Sequence, residues 1–435
     1  MPEEALPIGV VADDLTGATD LALMASERGL RSVVCVDVPA AGTVPPDADV
    51  LVVALRSRTA PVATAVDASR RALGWLRQQG ARRFHLKYCS TFDSTPRGNI
   101  GPVLEALLDD LGSPTTVVVP SFPATGRTVY RGYLFVGNEL LAESSMRDHP
   151  LTPMRDSHLV RLLQPQMSGR VSAVALEHVR GDLPAALDAA RRGGVRAVVL
   201  DAIEDGDLAA IHRATADLPL TTGAAGLVTA WGRGGESAAV AVGAPGPSVS
   251  LVGSQSRASR EQVERARAHQ PVLAISPPAG EDGVAPAADR AVGWCLERWS
   301  EDAERPVLVH AAPPDSDVSP DEAALLERTF ARTAATLAAR GVRRFVVGGG
   351  ETSGSVIAAL DVRTLAIGPA ISPGVCWASG ELAPGDPGTG LAGEGTSTRA
   401  APGTTGEVSA TCALSLKSGN FGGPDFFVDA WEMLR

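Results

Sequence analysis

Lysine is nearly missing: of the 39 basic residues in this 435-residue chain only two, Lys87 and Lys417, are lysines, and the rest are arginine. Long basic runs are missing too, and 50 acids against 39 bases leave a formal net charge of −11. A balance of this sign argues against nucleic acid or an anionic membrane as partner, although a few local cations suffice for a small anionic substrate. No stretch approaches the roughly 20 apolar residues that a membrane-crossing helix needs. The opening "MPEEALPIGVVADD" carries acids where an export signal needs a basic region, so a cytoplasmic location is expected. The five cysteines (35, 89, 295, 376 and 412) are odd in number, scattered, and without CxxC or Cys/His spacing. That pattern excludes a disulfide framework or a zinc site and predicts reduced thiols. Cys89 stands apart because it lies inside "KYCSTFDSTPRGNIG", but no neighbouring base is visible to activate it as a nucleophile.

What is present is a globular composition, 44% apolar and 20% charged, in a chain long enough for two or three domains. Short apolar runs alternate with amphipathic helical stretches. "PIGVVADD", "RSVVCVDV", "ADVLVVAL", "RFHLKY", "TTVVVPS" and "VRAVVLDAI" read as buried strands. A helix is predicted from about Gly17 to Arg28, and "PVATAVDASRRALGWLRQQG" and "NIGPVLEALLDDLG" have helical spacing. "WGRGGESAAVAVGAPGPSVS" breaks the alternation and reads as a linker, after which strand and helix signals resume. The predicted organisation is two α/β domains with largely parallel sheets, over residues 1–235 and 248–435, joined by 236–247, with the active site in the cleft between them. "LAPGDPGTGLAGEGTSTRAAPGTTGEV" reads as a mobile surface loop.

In open α/β sheets ligands bind beyond the carboxyl ends of strands. Three stretches of the first half have that placement. Asp13 and Asp14 follow the first strand, the segment from Lys87 through Ser90 and Thr91 to Asp93 follows another, and Arg127 lies beyond a third. Carboxylates accept bonds from substrate hydroxyls, and Arg127 or Lys87 can clamp a substrate carboxylate, so the group suits a small polyhydroxy acid. Helix capping accounts for one of Asp13 and Asp14 but not readily for both. Asp14 is the expected base, or the group that orients an attacking hydroxyl.

In the second half, "FVVGGGETSGS" runs strand, glycines, hydroxyls, helix, which exposes backbone N–H groups to an anion. No Walker sequence is present, and the G-x-G-x-x-G pattern started at Gly348 fails at Ser353. "SLVGSQSRAS" and "LKSGNFGG" add two more strand-to-loop turns. Each is weak alone; three in one domain point to a nucleotide, with Lys417 available to phosphate charge. A hydroxy-acid domain facing a phosphate domain suits phosphoryl transfer from ATP with Mg²⁺.

"VADDLTGATDLA", "KYCSTFDSTPRGNIGPV", "FPATGRTVYRGYLFV", "SSMRDHPLTPM", "GGGETSG", "IGPAISPGVCW" and "LKSGNFG" occur in order over nearly the whole chain. Together they resemble the four-carbon acid sugar kinase family, most closely its 3-oxo-tetronate kinase branch. The resemblance implies an N-terminal sugar-acid domain, a C-terminal ATP domain and phosphorylation of the C4 hydroxyl. It places Ser254, the run Gly349, Gly350, Glu351, Thr352, Ser353 and Gly354, and Gly419 at the nucleotide. It places Asp13, Asp14, Lys87, Ser90 and Asp93 at the substrate. Gln255 stands where the family pattern has a small residue or cysteine.

D-threonate and erythronate are the alternative substrates, differing from the 3-oxo acid at one carbon. A non-catalytic sugar-acid sensor and a sugar-acid dehydrogenase are the rival classes, and the second lacks its dinucleotide fingerprint. The metal ligands are not legible in the sequence; a homo-oligomer is compatible with it.

Overall fold

The computed structural model describes residues 7–148, 152–232, 234–313, 319–382 and 410–434. The stretch expected as a surface loop, 382–408, lies outside them but for its first residue. The chain forms two compact units, residues 1–239 and 240–435. The segment read as a linker is hydrogen-bonded within each: Ala238 N–H donates to Ser26 O (2.9 Å), and Val240 N–H to Ile367 O (2.8 Å).

The first unit contains β1 (Ile8–Ala12), β2 (Ser32–Val36), β3 (Val50–Ala54), β4 (Arg83–Lys87), β5 (Thr116–Val119), β6 (Arg127–Tyr130), β7 (Tyr133–Val136), β8 (Glu139–Leu140), β9 (Arg170–Val174), β10 (Val195–Leu200) and β11 (Leu220–Gly223). Its main sheet runs β2-β3-β1-β4-β11-β5-β10-β9, parallel at every pairing. Strands covered on both faces read as unbroken apolar runs such as IGVVA and VLVVA. β1 lies between β3 and β4, with Ala12 in register with both Ala54 and Lys87, so three adjacent carboxyl ends finish level. Helix Val62–Gln78 buries Leu73, Trp75 and Leu76, and helix Ile100–Asp110 buries Val103, Leu104 and Leu107, in one core with Val11, Val53 and Leu86. β6, β7 and β8 form a small antiparallel sheet that carries Arg127.

The second unit contains β12 (Ser248–Val252), β13 (Val272–Ile275), β14 (Val307–Ala311), β15 (Arg344–Gly348), β16 (Thr364–Ser372), β17 (Val375–Leu382) and β18 (Ala410–Lys417), in the order β13-β14-β12-β15-β18-β17-β16. Pairings from β13 through β18 are parallel, and β17 runs antiparallel to both its neighbours. That antiparallel flank has no clear alternation to announce it. β16 carries Gly368 and Pro369, and its pairing with β17 shifts register between Ile367 and Ala370, the irregularity a proline imposes on a ladder. Among the described residues no helix is long and apolar enough to cross a membrane.

Gly101 sets how closely helix Ile100–Asp110 approaches residue 166. A Cβ there would lie 2.7 Å from Gln166 O. Gly101 N–H donates to Gln166 Oε1 (3.1 Å), and Gln166 Nε2 donates to Ser94 Oγ (3.0 Å), tying the helix start to the loop after β4. In an exposed helix Gly→Ala gains about 1 kcal/mol, but overpacking of this kind costs about 1–3 kcal/mol. Gly101→Ala is therefore expected to lower stability, read as a lower denaturant midpoint with an unchanged slope.

Candidate active site

Asp13 and Asp14 emerge from β1 and serve different ends. Asp14 caps helix Leu15–Glu27: its Oδ1 accepts from Gly17 N–H (3.0 Å) and its Oδ2 from the Thr16 hydroxyl (2.7 Å). Asp13 is free of the helix and takes the guanidinium fork of Arg58, Nε to Oδ2 at 2.9 Å and Nη2 to Oδ1 at 2.8 Å. The same Arg58 Nη2 lies 2.9 Å from Asp14 Oδ1, and Nη1 lies 3.7 Å from Asp93 Oδ2. One arginine thus serves three carboxylates. It is fixed in turn by Asn99, whose Nδ2 donates to the carbonyls of Ser57 (2.6 Å) and Ala60 (2.8 Å).

The loop after β4 delivers the rest. Tyr88 and Phe92 meet edge to face, centroids 5.5 Å apart, and fold the chain back so that Phe92 and Asp93 both take positive φ. Non-glycine residues held there cost about 1–3 kcal/mol each and concentrate at functional sites. Thr91 donates to Asp93 Oδ1 at 2.6 Å, and Ser90 is buried beside it. Lys87, 2% exposed, donates to Tyr88 O (3.1 Å) and faces Asp20 Oδ2 at 4.0 Å. A Cβ on Gly17 would come within 2.9 Å of Lys87 Nζ, so glycine is what lets the ammonium sit against the helix start. Asp13, Arg58, Asp93, Ser94 and Asn99 line a pocket of about 20 Å³. That is room for a water.

Burial pushes Asp13, Asp14 and Asp20 upward, and the cations decide which is held down. Asp14 ends below its ordinary value, since burial is outweighed by Arg58, Lys87, the Thr16 hydroxyl and the Gly17 N–H. Asp13 ends above its ordinary value, because burial exceeds the pull of Arg58. Asp20 is pushed up to about 6 by burial, against the opposing charge of Lys87. Burial also raises the Cys89 thiol to about 12, which keeps it protonated and unreactive. Arg127 donates through Nη1 to Thr125 O, and its buried Nε has no partner.

In the second unit the three loops converge because β12, β15 and β18 are parallel neighbours. Gly253 N–H (3.0 Å) and Ser254 N–H (3.1 Å) both donate to Gly348 O, and Gly349 N–H donates to Lys417 O (2.8 Å). Gly349 caps helix Gly350–Ala359 at φ +124, where a side chain would be strained and would meet Thr352 Oγ1. Gly350 opens onto free space, and Gly419 packs against Ser254, where a Cβ would lie 2.7 Å from its Oγ. The first N–H groups of a helix lack intrahelical acceptors, and such a start favours an anion. Ser353 Oγ bonds back to Gly349 O (2.7 Å) and Thr352 Oγ1 donates to Glu327 Oε1 (2.9 Å), so both hydroxyls brace the loop. Glu351 is exposed. Gln255 has a structural part: its Nε2 donates to the carbonyls of Ala311 (2.9 Å) and Ala312 (3.1 Å), tying the loop after β12 to the end of β14.

Lys417 is turned away from that opening. Fully buried, it donates to Gly419 O (2.9 Å), Ser418 O (3.0 Å) and Ser259 Oγ (3.2 Å), while Ser256 and Ser259 also donate to Gly419 O. It holds the loop from beneath. Residues that sequence reasoning passed over are Arg58, Asn99, Asp20 and Glu327. Arg58 follows a strand as Asp13 does, and that position was its available signal. Asp20 was visible as an acid among the small and apolar residues in the middle of its helix. Among the described residues no three His, Cys, Asp or Glu side chains converge as a metal cage.

The chain belongs to the family whose members join a sugar-binding N-terminal domain, matched here over residues 8–231, to a nucleotide-binding C-terminal domain, matched over 249–427. Its relatives include a 3-oxo-tetronate kinase of Burkholderia multivorans, 43% identical over 98% of this chain and 97% of that protein. A 3-oxo-tetronate kinase of Cupriavidus necator is likewise 43% identical, over 98% of this chain and 97% of its own. A crystal structure from Salmonella typhimurium LT2, provisionally described as a tRNA synthase, superposes with a TM-score of 0.81 at 36% identity, covering 99% of this chain and all of that one.

The buried Lys417 gives a pH signature. Burial lowers its pKa from 10.5 to about 7. Below pH 7 folded and unfolded chains are both protonated, and the cost of the buried charge is felt in full. Between pH 7 and 10.5 only the unfolded chain keeps the proton, so stability rises with pH. Unfolding measured from pH 6 to 10 is expected to show that rise in the wild type and to lose it in Lys417→Met.

Proposed function

We propose that the chain is an ATP-dependent kinase that converts 3-oxo-tetronate to 3-oxo-tetronate 4-phosphate. The observation that carries this reading is the 43% identity, over nearly the full length, to proteins named 3-oxo-tetronate kinase. The geometry supports it. A 3-oxo-tetronate carries a carboxylate at C1, hydroxyls at C2 and C4 and a ketone at C3, so it needs one cationic clamp, acceptors for two hydroxyls and a donor for the ketone. Arg127, with its unpartnered Nε, suits the carboxylate. Asp13, Lys87, Ser90, Thr91 and Asp93 supply the polar wall.

Asp14 is the group for the reacting hydroxyl. Kept ionised by Arg58 and Lys87, it accepts the C4 proton as O4 forms its bond to the γ-phosphorus and the bond from that phosphorus to the bridging oxygen of ADP breaks. The phosphates lie at the start of helix Gly350–Ala359, with Ser254, Gly349 and Gly354 around them. Glu351, Thr352, Ser353 and Gly419 shape the same loop system, and Lys417 holds it in place. Mg²⁺ would enter with ATP and counter its charge, bound through the phosphates and one or two carboxylates. Glu327, whose Oε2 is buried without a partner beside Thr352, fits as such a carboxylate. D-threonate or erythronate would need only a change of partner at C3. The thiols of Cys35, Cys89, Cys295 and Cys412 support a cytoplasmic location.

An ADP-release assay with ATP and Mg²⁺ against 3-oxo-tetronate, D- and L-threonate, and D- and L-erythronate tests the reading. Turnover fastest on 3-oxo-tetronate is expected; none on any acid overturns it. Asp14→Asn is expected to lower kcat by about 10²–10⁴, the usual worth of a general base, with ATP affinity nearly intact. Gly350→Val, filling the open space at the helix start, is expected to raise the KM for ATP with little effect on acid binding. An unchanged ATP affinity there would move the phosphates elsewhere.

A further inference from the structure

Asp20 lies a turn and a half into helix Leu15–Glu27, whose other buried residues are small or apolar. It is 7% exposed. Its Oδ2 faces Lys87 Nζ at 4.0 Å, while its Oδ1 is buried and has no hydrogen-bond partner. A charged acceptor left unbonded in a protein interior is costly and rare, so it calls for a donor that arrives from outside. Arg127 supplies the complementary oddity, a buried Nε–H without an acceptor, and its charge acts on Asp20. An unused anionic acceptor and an unused cationic donor are thus within electrostatic reach of each other.

We infer that Asp20 recognises the C2 hydroxyl of the acid: Oδ1 accepts that hydroxyl's hydrogen while Arg127 Nε donates to the adjoining C1 carboxylate. The inference rests on the four-carbon-acid reading above. In such an acid the carboxylate and the C2 hydroxyl are on neighbouring carbons, so one cationic donor and one anionic acceptor within electrostatic reach of each other suit the pair. Lys87 Nζ faces the other carboxylate oxygen at 4.0 Å, which leaves Oδ1 as the oxygen without a neighbouring cation or donor. Of the hydroxyls of 3-oxo-tetronate, C4 carries the reaction, and C2 is the one left to be recognised. A 2-oxo acid, with no hydrogen to give at that carbon, would be rejected by the same oxygen.

The test is calorimetric binding without ATP, comparing 3-oxo-tetronate with 4-hydroxy-3-oxobutanoate, which lacks only the C2 hydroxyl. D-threonate against 3,4-dihydroxybutanoate makes the same comparison. The wild type is expected to prefer the hydroxylated acid of a pair by roughly 10- to 100-fold, the range for a hydrogen bond to a charged group. Asp20→Ala should lose that preference by weakening the hydroxylated acid alone. A merely structural role would weaken both acids equally, and that result, or an undiminished preference, overturns the assignment. A cooperative melt with the wild-type far-UV circular dichroism reports whether Asp20→Ala is folded. If it is not, Asp20→Asn serves, because Lys87 attracts the amide oxygen and leaves NH₂ where the acceptor was, so the preference should again fall. Binding with the expected preference but no turnover overturns the kinase reading and leaves Asp20 in place. Turnover without the preference does the opposite, and binding of none of the four acids removes both.

Discussion

Arg58 is the cation on which the first unit's site depends. Asp13, Asp14 and Asp93 approach one another where water is largely excluded, and carboxylates so placed cannot all stay ionised without a counter-charge. The guanidinium meets all three, at 2.8, 2.9 and 3.7 Å. Its planar fork is what makes this possible, since a lysine at the same place would present one point charge to one partner. The arrangement is also directional. Asp13 takes both arms of the fork and is committed, whereas Asp14 shares one nitrogen and is held ionised by several small contributions. Asp14 is also bonded by Gly17 N–H and the Thr16 hydroxyl, so it is held below its ordinary pKa while Asp13 is raised, and the two do not compete as equals for one proton.

The two lysines show the converse use of charge. Lys87 ends β4 and Lys417 ends β18, each is buried, and each ammonium donates to the carbonyl of the next residue. In both places a strand finishes under a loop that must lie close, and a compact ammonium on a flexible stem curls where a guanidinium would not fit. The consequences diverge with the neighbours. Lys87 has Asp20 opposite it and Asp14 nearby, so it belongs to an ionic network. Lys417 has only carbonyls, a serine hydroxyl and, at about 6 Å, the rings of Phe426 and Phe427. With no carboxylate to compensate burial, its charge is a cost, and its contribution is to position the 418–419 turn.

How much of this could be read from the sequence follows from the range of each interaction. The strands showed as apolar runs because a parallel sheet buries both faces, and the glycine turns showed because Gly349 needs a φ that other residues avoid. Asp13, Asp14 and the 87–93 segment could be picked out because each follows a strand directly. Arg58 could not be tied to them, because its partners are 45, 44 and 35 positions away and strand order alone brings them together. The direction of Lys417 was equally hidden. A strand-final lysine beside glycines reads as a phosphate ligand, and only the burial of its ammonium under Ser259 and Gly419 shows that it faces inward. β16 escaped notice because Gly368 and Pro369 interrupt the pattern that would have marked it.

These placements divide the electrostatic labour. The first unit concentrates full charges, with Asp13, Asp14, Asp20, Asp93, Arg58 and Lys87 in one network, which suits a ligand whose hydroxyls and carboxylate must be told apart. The second unit offers mainly dipoles at its loops: a helix start capped by Gly349, close-packed glycines and serine hydroxyls. Lys417 faces inward and Arg257 is engaged by Glu261 at 2.8 Å. Dipoles of this kind attract phosphate oxygens without a full positive charge. Such a site suits a nucleotide whose charge is already countered by a divalent cation. It is also compatible with a chain of net charge −11, because the attraction comes from aligned N–H groups at one helix end and not from the protein's overall field.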